Sequence, residues 1–324
     1  MSPTSAIRQA IRRVRPTIRE DGRNVVRWMA RHRPTRALLN AVYSSLDYDG
    51  KERFHNTFTY LFRGRGESLT AGTWNVRFAG REVRVPLRGR DAWLEWDAAT
   101  ATLGHDVAIK RTYDALLCGP AKPRVFFDIG TNVGLHSLLF LVHGVRTVSF
   151  EPNPACHEFI RALAEANGVT PDIRTVALGD REGEIELAFP PGETWLGTTV
   201  TDVREQLSSK GRLEKVWARL TTLDNFCRAE GLKPDLVKID TEGNELAVLE
   251  GARETLRSCR PVVIFETWPG KERDLLYGFM DNIGYRIAAL PMSSTRDAPK
   301  MERSQFLTSP DTNFAALPDD RNDR

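Results

Sequence analysis

The run Phe127-Asp128-Ile129-Gly130-Thr131-Asn132-Val133-Gly134, with Phe150-Glu151-Pro152-Asn153-Pro154 behind it, constrains this chain more than any other stretch. Arg124 to Phe127 is short, apolar and preceded by Pro123, the pattern of a buried parallel strand, and Leu135 to Val142 is apolar with helical period. Gly130 and Gly134 bracket the turn between them. Val145 to Phe150 supplies a second buried strand. Glu151 ends it, at the place where a carboxylate accepts hydrogen bonds from both hydroxyls of a ribose. Asp128 and Glu151 lie 23 residues apart, the length of one βαβ unit. The segment predicts a nucleoside pocket at the C-terminal edge of a parallel sheet.

The spacing narrows the nucleoside. A dinucleotide loop needs G-x-G-x-x-G, whose second glycine lets the backbone approach a pyrophosphate at a helix N-terminus. This loop reads D-x-G-x-x-x-G, without that middle glycine. Its acidic lead residue repels a pyrophosphate but suits a ligand with an ammonium and a sulfonium, which describes S-adenosyl-L-methionine. A nicotinamide oxidoreductase is the competing class, and the missing glycine argues against it.

Beyond the loop, the order of motifs resembles the FkbM family of S-adenosylmethionine-dependent methyltransferases, collinearly from Phe127 to about Pro318. The matching pieces are FDIGTNVG at 127–134, FEPNP at 150–154, VALGD at 176–180, LTTLDNF at 220–226, LVKIDTEGNELAVLEGA at 236–252 and VVIFET at 262–267. Family loops often read D-I-G-A-N-x-G, and Thr131 stands here for the alanine. The resemblance implies a class I, Rossmann-like, doubly wound fold with a mostly parallel seven-stranded sheet. It also implies a hydroxyl of a sugar or secondary metabolite as methyl acceptor. In such a site Asp128 would hold the ammonium end of the cofactor and Gly130 and Gly134 would admit it to the backbone. Asn132 would offer amide hydrogen bonds, Glu151 would bind ribose, and Ala177 and Leu178 would lie against adenine.

Residues 1–120 read as an extension to the catalytic domain at 121–318, with 319–324 a disordered tail. Ile7, Ile11, Val14 and Ile18 recur at helical spacing, and a second helix runs from Thr35 through Tyr43 after a break near Pro34. Thr73 to Phe78 and Glu82 to Pro86 alternate polar and apolar around Ala79-Gly80, a hairpin signature. A helix from about Val107 to Leu117 leads into the domain. Residues 1–36 hold ten arginines against Glu20 and Asp21, although the whole chain is near balance at +3. That balance argues against nucleic-acid binding through the whole surface. The basic segment leaves three readings open: a peripheral membrane contact, a docking segment for an anionic partner, or a solvated face. No apolar run long enough to span a membrane and no signal-peptide core occur, so a cytoplasmic location is expected. Cys118, Cys156, Cys227 and Cys259 are scattered without a CxxC pair and read as reduced thiols.

In the catalytic domain, strands near 124–128, 146–150, 172–177, 235–240 and 260–266 alternate with helices near 133–143, 154–167 and 243–257. Tyr285 to Leu290 and Asn313 to Leu317 complete the sheet, the latter antiparallel by the family resemblance. The 57 residues from 178 to 234 exceed an ordinary connection, and Glu184 to Phe189 with Val216 to Thr222 suggest a hairpin beside the pocket. Trp195 to Thr199 between them would help cover the acceptor.

A sulfonium is already an activated methyl donor, so the protein must align an acceptor oxygen and remove its proton. Asp240, Glu242 and Glu245 follow the fourth core strand and Glu266 ends the fifth, which converges carboxylates at one rim. Glu242 is the candidate general base. Asp240 is placed at the pocket floor, near the cofactor's methionine part or the acceptor, and Glu266 binds an acceptor hydroxyl or buried amides. Glu245 is read as structural or acceptor-orienting, His136 as facing helix, and His105 with Asp106 as a possible cofactor-contacting segment. No metal site is expected, because the ligand count after the fourth and fifth strands falls short. Asp240-Thr241-Glu242-Gly243 is not the Asn/Asp-Pro-Pro-aromatic motif of base methylation, which favours oxygen as the target atom. A non-catalytic cofactor-binding partner and an enzyme of lipid-linked or peptide acceptors remain as alternatives.

Overall fold

The computed structural model describes residues 22–62, 68–120, 122–189, 213–295 and 298–319. The chain separates into two compact units, one formed by residues up to 77 and 84–105, the other by 78–83 and 106 onward. The candidate helix around Ile7 to Ile18, the Trp195 to Thr199 segment and all but the first residue of the tail lie outside the described residues.

In the first unit, residues 22–31 are helical and helices Arg33–Ser45 and Tyr48–Phe62 follow. Strands β1 (Gly72–Phe78) and β2 (Arg81–Leu87) form the expected two-stranded sheet. Ala79 (φ 44°) and Gly80 (φ 79°) both adopt the left-handed conformation that a two-residue hairpin turn requires. Helix Ala92–Gly104, capped by the Asp91 carboxylate, was not anticipated from the sequence. It is buried nearly all round, so it lacks the polar stripe that marks a surface helix. Trp74, Trp96, Tyr43 and Phe62 fill this unit's core, with Trp74 and Trp96 edge to face at 4.9 Å.

The second unit carries the seven-stranded sheet. Its strands are β3 (Val125–Ile129), β4 (Arg146–Phe150), β5 (Asp172–Arg174), β9 (Leu236–Ile239), β10 (Val262–Glu266), β11 (Tyr285–Ala289) and β12 (Asn313–Pro318). A smaller sheet is made of β6 (Ala177–Leu178), β7 (Gly183–Phe189) and β8 (Glu214–Thr221). The large sheet is ordered β11-β12-β10-β9-β3-β4-β5. Pairing is parallel from β5 to β10, and β12 runs antiparallel to both β10 and β11. The order reverses direction between β3 and β4 on one side and β9 on the other, so the crevice opens at the C-terminal ends of these strands.

Three expectations need correction. The helix Val107–Cys118 belongs to the catalytic unit rather than to an extension ending at 120, because Tyr113 packs on Phe140 (4.7 Å) and Phe126 (6.0 Å) in its core. The third core strand stops at Arg174, and Ala177–Leu178 joins the smaller sheet beside β8. The helix expected over 243–257 is two helices, Glu245–Glu250 and Arg253–Cys259. Gly251 marks the break: a Cβ there would lie 1.9 Å from the Gly179 carbonyl oxygen, so the chain turns where it touches the smaller sheet.

Candidate active site

The glycine loop is held from both sides. The Phe150 carbonyl accepts from both the Gly130 and Thr131 N–H groups (3.1 Å each), and the Asp240 N–H donates to the Ile129 carbonyl (3.0 Å). Gly130 is wedged between β4 and β9 at φ 77°, and a Cβ there would lie 1.7 Å from the Asp240 carbonyl oxygen. Only glycine fits. Asn132, also left-handed (φ 52°), directs its N–H to Glu151 Oε2 at 2.7 Å, while the Asn153 N–H donates to Oε1 at 2.8 Å. The Glu151 carboxylate is thereby fixed by two amides and retains lone pairs for further donors. Burial pushes its pKa up to about 7, against the lowering effect of the two amides.

A cavity of about 110 Å³ opens beside this loop. Gly130, Asn132, Glu151 and Asn153 line it, together with Asp240, Thr241 and Glu242. Ala177 and Leu178 line it, as expected, with Val176 beside them. Ile185, Leu187 and Phe189 form an apolar face that the sequence reading did not assign to the site. The alternation of Glu184 to Phe189 was visible, and in β7, paired antiparallel with β8, every second residue turns toward the cavity.

Asp128 and Gly134 do not line the cavity. Asp128 is fully buried beneath the loop, where Oδ2 accepts from the Ser137 hydroxyl at 2.6 Å and Oδ1 has no hydrogen-bond partner among the described residues. A strand residue ahead of the turn points into the sheet-helix interface, so its carboxylate supports the loop from below instead of facing a ligand. Gly134 starts helix Leu135–Leu141 with φ 88°, close to Ile160.

The carboxylates after β9 and β10 do converge. One oxygen each from Asp240, Glu242 and Glu266 lies within 4.8 Å of the others. Glu242 is held in a left-handed conformation (φ 54°), which turns it toward the cavity. Burial, then repulsion from Asp240 and Glu245, raises its pKa to about 7, with Lys238 acting in the opposite direction. Burial, the charges of Asp240 and Glu242 and a hydrogen bond to Asp240 push the Glu266 carboxyl well above the usual carboxylate range. Glu245 does something different. Its Oε1 accepts from the Thr241 N–H (2.7 Å), the Thr241 hydroxyl (2.9 Å) and the Gly243 N–H (3.3 Å), locking the loop that presents Glu242. The convergence overturns the argument that too few carboxylates gather here for a metal. An acidic cluster is not a metal site by itself.

Behind the sheet's rim, Lys110 Nζ meets His136 Nε2 at 2.9 Å, and His136 lies 3.4 Å from Asp106 Oδ2 and 3.2 Å from the Tyr113 hydroxyl. Burial, then Lys110 and Lys238, lowers the His136 pKa well below the usual range and keeps the ring neutral. His136 thus faces a polar cluster rather than plain helix. None of these side chains reaches the cavity.

A mostly parallel Rossmann-like sheet of this order, with the glycine loop at the C-terminal ends of its strands, is the fold of class I S-adenosylmethionine-dependent methyltransferases. Residues 128–287 match the Methyltransferase FkbM domain. This part of the chain is an FkbM methyltransferase domain, and its cofactor is S-adenosyl-L-methionine. Among curated relatives, methyltransferase sdnD of Sordaria araneosa is 26% identical over 215 residues, 58% of this chain and 80% of its own length. Hexuronic acid methyltransferase AglP of Haloferax volcanii is 26% identical over 141 residues, 43% of this chain, and the chain spans about half (54%) of its length. The crystal structure of methyltransferase FkbM from Methylobacillus flagellatus KT is similar at a TM-score of 0.38 and 14% identity, covering 69% of this chain and 54% of that one. At that score the likeness adds nothing to the assignment. No described helix is long and apolar enough to cross a membrane.

Proposed function

We propose that the chain is an O-methyltransferase acting on a hydroxyl of a sugar or secondary metabolite, with Glu242 as general base. The observation that carries the reading is that Glu242 lines the cavity beside Asp240 and Glu266, on a loop where its backbone is left-handed, with burial raising its pKa to about 7. A base whose pKa lies near the working pH is half available and still drives proton transfer, which is the optimum for this step.

The cofactor supplies a methyl group on a sulfonium, and when the acceptor oxygen takes that carbon the C–S electron pair returns to sulfur, leaving a neutral thioether. Glu151 would accept the ribose hydroxyls, and Val176, Leu178, Ile185 and Leu187 would exclude water around the adenine. Gly130 would let the methionine part lie against backbone. Glu242 would take the acceptor's hydroxyl proton as the new C–O bond forms, and Asp240 beside it would orient the acceptor. Glu266, hydrogen-bonded to Asp240 and raised by burial and its acidic neighbours, would help hold Asp240 in place. A hydroxyl acceptor agrees with the named chemistry of the hexuronic acid methyltransferase relative only at the level of a sugar ligand.

The test is transfer of a labelled methyl group from S-adenosylmethionine to a panel of sugars and hydroxylated secondary metabolites, with Glu242→Gln alongside. Label appearing on nitrogen or carbon acceptors, or full activity in the variant, would overturn the reading.

A further inference from the structure

Lys238 sits in the middle of the sheet's central strand and is 2% exposed. An ammonium buried there is costly unless it is paired, so its partners reveal what it holds. Lys238 is on β9 and Asp240 follows the strand's last residue, Ile239; Lys238 Nζ meets Asp240 Oδ2 at 2.8 Å. On β3, Asp128 is the register partner of Lys238. On β10, Ile264 is its partner and Glu266 lies two residues further along the same face. The register therefore sets one lysine beside Asp128 and on the strand face that leads to Glu266, and its ion pair reaches Asp240 at the cavity.

We propose that Lys238 is a positioning residue for methyl transfer: its ammonium pins the Asp240 carboxylate and supplies the positive charge that holds Glu242 ready to accept a proton among crowded acids. This rests on the reading of Glu242 as the base. Without a cation beneath them, Asp240, Glu242 and Glu266 would share protons so as to relieve their repulsion, and the acceptor would meet a protonated base.

The surrounding charges agree with this assignment. Glu242 is faced by Asp240 and Glu245 from its own loop, Glu266 from β10 and Lys238 from β9; Asp240 and Glu245 raise it and Lys238 lowers it. Lys238 is faced by Asp240, by Asp128 of β3, by Asp106 ahead of helix Val107–Cys118, by Lys110 on that helix and by His136 on helix Leu135–Leu141. Burial draws the ammonium toward deprotonation, but Asp240 and Asp128 outweigh it, so the lysine stays charged at every working pH. Lys110, the other buried ammonium, is lowered to about 8 by burial, and its Nζ meets His136 at 2.9 Å, whereas it is Lys238 that meets the Asp240 carboxylate.

The experiment is the pH profile of kcat/KM, measured with a chelator present, for the wild type, Lys238→Met, Lys238→Arg and Asp240→Asn, with Glu242→Gln as control. Lys238→Met should move the acid limb up by about one pH unit, the low end of what loss of an opposite charge does to a carboxylate. Lys238→Arg should restore it. Asp240→Asn removes an anion and should move the limb down; it covers the case in which Lys238→Met does not fold, since Asp240 lies at the rim. An unmoved limb in Lys238→Met that folds and binds S-adenosylhomocysteine, or an unmoved or raised limb in Asp240→Asn, overturns the proposal. If the acid limb persists in Glu242→Gln, Glu242 is not the base. The reading of the base then fails, and the proposal with it.

Discussion

Gly130→Ala tests the structural reading of the cofactor loop most directly. Two costs arise at this position. An L-residue at φ 77° pays about 1–2 kcal/mol for the left-handed conformation. The new methyl would also stand 1.7 Å from the Asp240 carbonyl oxygen, which must retreat by about 1.3 Å to reach the 3.0 Å lower limit of real contacts. That carbonyl cannot retreat freely, because the Asp240 N–H is bonded to Ile129 and its side chain to Lys238. Overpacking of this kind costs roughly 1–3 kcal/mol, so the total is about 2–5 kcal/mol. For a unit of this size the midpoint corresponds to a fall in Tm of about 10 °C. Gly144→Ala is the internal reference: it has a similar φ of 72° and nothing within 4 Å, so it carries the backbone cost alone. Gly130 and Asp240 both line the cavity, so the same shift should weaken S-adenosylhomocysteine binding at least tenfold, about 1.4 kcal/mol. Calorimetric titration and thermal melts of both variants decide the matter. If Gly130→Ala is no less stable than Gly144→Ala and binds within about threefold of wild type, the cradle does not exist as described.

Other outcomes follow from the same geometry. Glu242→Gln should lower kcat about 100-fold or more while leaving S-adenosylhomocysteine affinity within about twofold, read by steady-state kinetics and calorimetry. Glu151 is raised to about 7 in the free protein by burial, and ribose hydroxyls donate to its ionised form. Affinity for S-adenosylhomocysteine should therefore strengthen as pH rises through 7 and weaken below it, toward about tenfold per unit, and Glu151→Ala should flatten that dependence. The matching stability term has the opposite sense: the unliganded protein is stabilised by the proton on Glu151 below the ordinary glutamate range, and loses that contribution as pH rises through 7. Ile185→Ala should reduce cofactor affinity by about 1 kcal/mol, roughly fivefold, with little change in Tm, because this half-buried side chain is placed to cover adenine more than to fill the core.

Much of the fold was legible because its signals are local. Asp128 to Gly134 marked the strand-turn-helix, and the alternation of apolar strands with periodic helices implied the parallel sheet. The carboxylates at 240, 242 and 266 were recognisable because strand ends in such sheets meet at one edge. The signals failed where direction mattered. Asp128 looked like a ligand-facing acid, yet one residue of strand period turns it under the loop to Ser137. Ile185 and Leu187 looked like an ordinary amphipathic strand, and only pairing with β8 set which face closes the pocket. Gly251 carried no local sign of a helix break, because the obstacle is a carbonyl 72 residues earlier in the chain.

Local motifs set the class of cofactor and the residue types at its two ends, since glycine spacing and strand-terminal acids act within a single βαβ unit. How those acids share charge was settled only by strand pairing. Lys238 lies two residues before Asp240 in an otherwise ordinary apolar strand, and its meaning comes from the register that sets it against Asp128 on one side and Ile264, ahead of Glu266, on the other. Proton affinity depends on burial and on charges a few ångströms away, and those distances exist only once the strands have paired.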